Sequence, residues 1–126
     1  MPTSIQIIHA QDFIRATPDG ILDREASLKL LAGIESAASS MGQYHVLIDT
    51  RRTHSTMPAS DLWYLAEGLA RQRNAFHRKT AVLCPLGRMD YAEFLALCSR
   101  NRGLEVSAFT SFEEAIEWLI ADWADA

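Results

Sequence analysis

The sequence predicts an α/β fold: a mostly parallel mixed sheet of four to five strands, an N-terminal hairpin and four helices. Three observations carry the prediction. From residue 45 onward, strand-like runs alternate with helix-like runs, which implies parallel pairing through right-handed crossovers. The runs around Val46 and Val82 are apolar on both faces, as strands covered on both sides are. A chain of 126 residues that is 48% hydrophobic has the length of one domain, residues 1–126, and can bury a core without disulfide or metal support.

The elements follow in order. "SIQIIHA" and "DFIRATP" read as two short strands, and "HAQD" between them is short enough for a hairpin. In the second, Phe13, Arg15 and Thr17 alternate with Ile14 and Ala16, the period of a half-buried strand. "PDG" turns the chain. Asp23 is placed to cap the first helix and Gly42 to end it, with Leu30, Ile34, Ala37, Ala38 and Met41 as its inner stripe. "YHVLIDT" is the next strand. A second helix follows with Ser60 as its expected N-cap and Leu62, Leu65, Ala66 and Leu69 facing inward. "KTAVLCPL" is a strand stopped by Pro85. Asp90 and Glu93 form a capping box for the third helix, closed by Arg102 and Gly103. "LEVSAF" is the last strand. Either Thr110 with Glu113 or Ser111 with Glu114 caps a final helix that carries Ala115, Ile116, Leu119, Ile120 and Trp123.

Composition narrows the function classes. The formal charge of −4 argues against a general nucleic-acid binder. The basic run "RQRNAFHRK" is explained as the close of the second helix, where cations complement the dipole and Arg71 pairs with Glu67 one turn earlier. The two cysteines, Cys84 and Cys98, lack metal or redox spacing and read as buried free thiols. His45, His54 and His77 show no ligand spacing. The first residues lack the regions of a signal peptide, and no apolar run has the length of a membrane span, so a cytoplasmic location is expected. No nucleophile elbow or paired catalytic carboxylates stand out, and in "CPLGR" the Cys-to-Arg spacing is too short to cradle a phosphate. No enzyme activity, cofactor or metal is expected.

Functional residues are sought between Arg51 and Tyr64. Arg51 and Arg52 leave the carboxyl end of a parallel strand, where open α/β sheets bind ligands, and a helix N-terminus follows. Two arginines there could hold a phosphate or carboxylate, or could pair with Asp49 and Asp61. His54 lies in the same loop. Trp63 and Tyr64 cannot both point to the centre of the inner stripe at about 100° per residue, so at least one flanks the core where a partner or ligand could meet it.

"HVLIDTRR" with the helix at Ser60, "RKTAVLCPLG" and the ending "FTSFEEAIEWL" together resemble the STAS superfamily, and within it the SpoIIAA-like proteins. The resemblance spans nearly the whole chain. It implies a β-α superhelix and, from anti-sigma factor antagonists, a serine at the start of the second helix that a partner kinase phosphorylates. Ser60 falls at that place in "PASDL", with Pro58, Ala59 and Asp61 in place of the family's acid, second serine and glycine. Two functions from different classes follow. One is a regulatory module that binds a protein partner through residues 51–64, at Arg51, Arg52, His54, Ser60, Trp63 and Tyr64. The other is a carrier or sensor of a small lipophilic or anionic ligand, with an apolar pocket near the ends of the central strands. A homodimer is also expected, because the sheet face away from the helices needs a cover.

Overall fold

The structure is a computed structural model that describes residues 3–8, 13–38, 44–55, 57–72, 75–76 and 78–124. β1 (Thr3–Ile8) and β2 (Phe13–Pro18) pair antiparallel as the expected hairpin. β4 (His45–Asp49), β6 (Thr80–Leu83) and β7 (Val106–Phe109) continue the sheet in parallel, in the order β1-β2-β4-β6-β7. The helices are α1 (Arg24–Ala38), α2 (Ala59–Arg71), α3 (Met89–Arg100) and α4 (Phe112–Ala124). The expected fold class is therefore met. The hairpin connection, Met41, Gly42 and His77 lie outside the described residues.

Two short strands add a detail absent from the sequence reading. β3 (Gly20–Ile21) pairs parallel with β5 (Thr53–His54), tying the loop after β2 to the loop after β4. The turn needs Gly20, whose φ of 87° lies in the left-handed region that side chains disfavour.

Alternation along the strands divides the core in two. Ile14, Ala16, Val46, Ile48, Val82, Val106 and Ala108 point to one face, where α1 and α3 pack on them and Leu69 of α2 joins. Leu47, Ala81 and Leu83 point to the other, where Ala115 and Leu119 of α4 cover them. The helices between strands lie on one layer and the terminal helix on the other. The open sheet face that motivated a homodimer is thus occupied within the chain, and the sheet itself supplies no reason for a two-fold partner.

The helix ends divide into expected and corrected. Asp23 caps α1, its carboxylate accepting from the Ala26 N–H at 2.8 Å. At α4 the Ser111 alternative holds: its hydroxyl accepts from the Glu114 N–H at 3.3 Å. α3 ends in a Schellman motif, with the Leu104 N–H on the Ser99 carbonyl and the Gly103 N–H on the Arg100 carbonyl, and Gly103 at a φ of 86°. The Asp90–Glu93 capping box does not form. A 3-10 turn over Leu86–Arg88 runs straight into α3, so the chain is already helical at Asp90 and Arg88 takes the cap position without a side-chain bond.

Candidate functional site

Ser60 also departs from expectation. The chain enters α2 at Pro58, with φ −72° and ψ 168°, and the Pro58 carbonyl accepts from the Asp61 and Leu62 N–H groups. Proline fixes the extended residue, so the helix starts at Ala59 and Ser60 is its second residue, exposed and making no cap bond. Replacing Ser60 with Ala should therefore change stability by no more than about 0.5 kcal/mol, against about 1 kcal/mol for loss of a true cap. Urea melts of the two proteins measure the difference.

The two arginines separate from that helix. Asp49 points to the α4 side of the sheet, and Arg51 folds back onto it, donating from Nε at 3.0 Å and from a terminal nitrogen at 2.9 Å. Arg15 approaches the same carboxylate at 3.6 Å and stacks its guanidinium on Phe112. Burial pushes the Asp49 carboxyl up, but the hydrogen bonds and charge of Arg51, with the charge of Arg15, outweigh it and hold the pKa below its ordinary value. Arg51 is thus engaged, while Arg52 and His54 are exposed on the loop. The second acid considered, Asp61, pairs instead with Arg24 at 3.9 Å.

α2 presents what the helical angle implied. Leu62, Leu65, Ala66 and Leu69 are buried, while Trp63 is 47% exposed and Tyr64 36% exposed. Arg102, from the end of α3, lies over the Trp63 ring at 4.8 Å. Arg24, from the start of α1, lies over the Tyr64 ring at 5.0 Å, and Arg71 lies at 6.0 Å from the same ring. Glu67 receives Arg71 at 3.5 Å and Arg102 at 3.9 Å. Three helices therefore contribute to one solvated surface of two aromatic rings and three arginines. The sequence reading named the rings and missed Arg24 and Arg102, which only the packing of α1 and α3 beside α2 brings near.

Beneath the loop, at the carboxyl ends of β4 and β6, lie two adjoining apolar cavities of about 70 and 80 Å³. Arg88 lines the first, together with Cys84 and Tyr91. Its guanidinium donates to the Thr50 carbonyl at 2.9 Å, the Thr53 carbonyl at 2.8 Å and the Thr53 hydroxyl at 3.0 Å, which pins the loop. Met57 lines both cavities, and its sulfur accepts a long contact from the Ser27 hydroxyl at 3.9 Å. Both cysteines are buried and free, and burial pushes the Cys84 thiol up, away from reactive thiolate character. A larger hollow of about 610 Å³ runs along the first half of α1, lined by Asp19, Asp23, Glu25 and Lys29 among others. Among the described residues, no group of three or more His, Cys, Asp or Glu side chains could hold a metal, and no helix is long and apolar enough to cross a membrane.

No protein-family model matches the sequence, and no curated protein matches it. Solved structures do match. An uncharacterized protein of the DUF3478 family from Shewanella loihica PV-4, with a SpoIIAA-like fold, superposes with a TM-score of 0.63 at 18% identity, over 93% of each chain. The chain has a SpoIIAA-like fold. The anti-sigma factor antagonist SpoIIAA itself, in its unphosphorylated form, superposes with a TM-score of 0.55 at 20% identity, over 93% of this chain and 96% of that one. The STAS-like fold implied by the strand ends and the closing helix is thereby met. At these identities the likeness concerns the fold.

Proposed function

We propose that this domain is a non-enzymatic regulatory module that binds a protein partner through the loop after β4 and the exposed face of α2. One observation carries the reading: adjacent aromatic rings on α2 stand in solvent, each with an arginine laid over it. Trp, Tyr and Arg are the residue types that dominate binding energy at protein interfaces. Here the stacked cations hold the rings in place before a partner arrives, which lowers the ordering cost of binding. The SpoIIAA-like fold supports the reading, since SpoIIAA is an anti-sigma factor antagonist. Ser60 lies three residues before Trp63 and four before Tyr64, so all three share one helix face. A phosphate on Ser60 would place its charge at the edge of the same surface. Incubation with a partner kinase that leaves the mass of the protein unchanged would remove this part of the proposal.

The test is a comparison of captured proteins. Wild type, a Trp63→Ala, Tyr64→Ala double variant and a Glu117→Ala control on α4 are used as baits in extract from the source cells. The partner should bind wild type and control alike and lose at least about tenfold in affinity for the double variant, the effect of one modest hot spot. Equal recovery by all three baits would overturn the assignment. The double variant should remain folded, because both rings are solvated and each stacked pair contributes only about 0.5–1 kcal/mol.

A second reading, a sensor of a small ligand, is favoured by the apolar cavities at the strand ends. At this size they exclude ligands that need the usual volume of roughly 300 Å³ or more.

A further inference from the structure

We infer that the cavity under the β4–α2 loop is a binding site for a short-chain monocarboxylate, with its head on Arg88 and its hydrocarbon body between α2, α3 and the sheet. The inference rests on the small-ligand reading and names the ligand's chemistry. Its first support is the charge on Arg88. The side chain is half-buried, and the partners described for it are neutral oxygens of Thr50 and Thr53. Among the described residues, no carboxylate forms an ion pair with it. A cation partly withdrawn from water and held by neutral oxygens alone gains from an anion, and a carboxylate arriving at the cavity mouth supplies one. The three hydrogen bonds also fix the guanidinium, so little side-chain entropy is lost on binding.

Shape and lining supply the second support. The two cavities share Leu22, Thr50, Met57, Leu62, Val82 and Leu95, so a chain that enters beside Arg88 continues into the deeper one. Apart from Arg88 and the loop hydroxyls of Thr50 and Ser55, apolar side chains dominate the walls of the outer cavity. Cavities of about 70 and 80 Å³ with six wall residues in common suit a single short hydrocarbon chain. Di- and tricarboxylates are disfavoured, because a second charge would enter an apolar wall. The site also lies at the carboxyl ends of parallel strands, the usual place for ligands in open α/β sheets.

Hexanoate is the probe, with 1-hexanol and acetate as its uncharged and chainless counterparts. With a Kd on the order of 1 mM, 10 mM hexanoate should raise the unfolding midpoint of the full chain by roughly 4 °C. Amide NMR shifts should concentrate in residues 50–62 and 82–95. Ala92→Leu fills the outer cavity while leaving Arg88 in place, and it should abolish both effects. Arg88→Gln keeps donors for the threonine carbonyls but removes the charge, and it should erase the preference for hexanoate over hexanol. Protection by hexanol equal to that by hexanoate in wild type would overturn the carboxylate assignment and leave the small-ligand reading standing. No shift with either probe would end both. Equal protection of wild type and Ala92→Leu, or equal protection by acetate, would reduce the effect to general salt action and overturn the site. Should Arg88→Gln fail to fold, the hexanol comparison and Ala92→Leu decide the matter alone.

Discussion

Leu119→Ala is expected to cost about 3 kcal/mol of stability, within the 2–5 kcal/mol range of buried leucine truncations. Leu119 is 0% exposed and packs with Ala115 against Leu47, Ala81 and Leu83, the inner residues of the α4 face. Phe109, Phe112, Ile116 and Trp118 border this cluster. The cluster is small, so few neighbours can move in to fill the void, and a cost well above the minimum follows. In a domain of this size the loss lowers the midpoint by roughly 10 °C. Among the described residues α4 is also held by the Phe109–Trp118 ring contact and by Lys79, which donates to the Trp118 carbonyl at 2.8 Å while lying over the Trp118 ring. Urea melts with a control at exposed Glu117 measure the effect. A loss under about 1 kcal/mol would mean that α4 does not clamp the sheet. The face with Leu47, Ala81 and Leu83 would then be open, and sedimentation of the wild type well above 14.1 kDa would restore the homodimer as its cover.

The position of α4 also shows where sequence reading stops. Its inner residues are legible from their spacing, and the need to cover both sheet faces is legible from Val46 beside Leu47 and Val82 beside Leu83. The side on which α4 sits is not. Each of α1, α2 and α3 is followed by another strand of the parallel sheet, so the handedness of the crossover places all three on one face. No strand of the sheet follows α4, so that rule leaves its side open and packing decides. Helix starts show a similar divide. Asp23 was readable because nothing else competed for its cap, while at α4 two equally spaced pairs competed and the structure places Ser111 at the cap. At Ser60 and Asp90 the backbone just upstream, Pro58 in one case and the 3-10 turn in the other, began the helix earlier.

The candidate site was legible in part for the same reason. The exposure of Trp63 and Tyr64 follows from an angle on a helix, which is local information. Arginine contacts are not local: a flexible side chain of this length reaches whatever acceptor the fold brings near. Arg51 turned to Asp49, two residues away, rather than to the helix start. Arg88 belongs to "CPLGR", a stretch set aside for lacking phosphatase spacing, and its value comes from Thr50 and Thr53 on a distant segment.

Asp49→Asn is expected to cost about 2 kcal/mol at neutral pH, and the cost should vanish in acid. The carboxylate is only 6% exposed, accepts from the Arg51 N–H at 3.1 Å and from two guanidinium nitrogens, and faces Arg15. Hydrogen bonds to a charged group are worth about 1.5–3 kcal/mol each. The sum is discounted because the Arg51 side chain is 41% exposed and Arg15 30% exposed, so both guanidinium groups regain water when the acid is removed. The sign of the pH dependence follows from the lowered pKa. In the folded chain Asp49 holds its negative charge to a lower pH than in the unfolded chain, whose value is near 3.8. Across that interval the unfolded state binds more protons, so stability rises with pH. Above about pH 5 Asp49 is ionised in both states and the full difference between wild type and Asp49→Asn is present. As pH falls below about 4 and through the folded pKa, the wild type loses its advantage and the two stability curves converge. Paired urea melts from pH 7 to the lowest pH at which both proteins fold provide the measurement, and shared acid losses from other groups cancel in the difference. A gap that stayed constant across that range would show that the Asn variant is destabilised by shape rather than by charge. Arg51 would then be a weak partner of Asp49, and its guanidinium would again be open to an external anion beside Arg52.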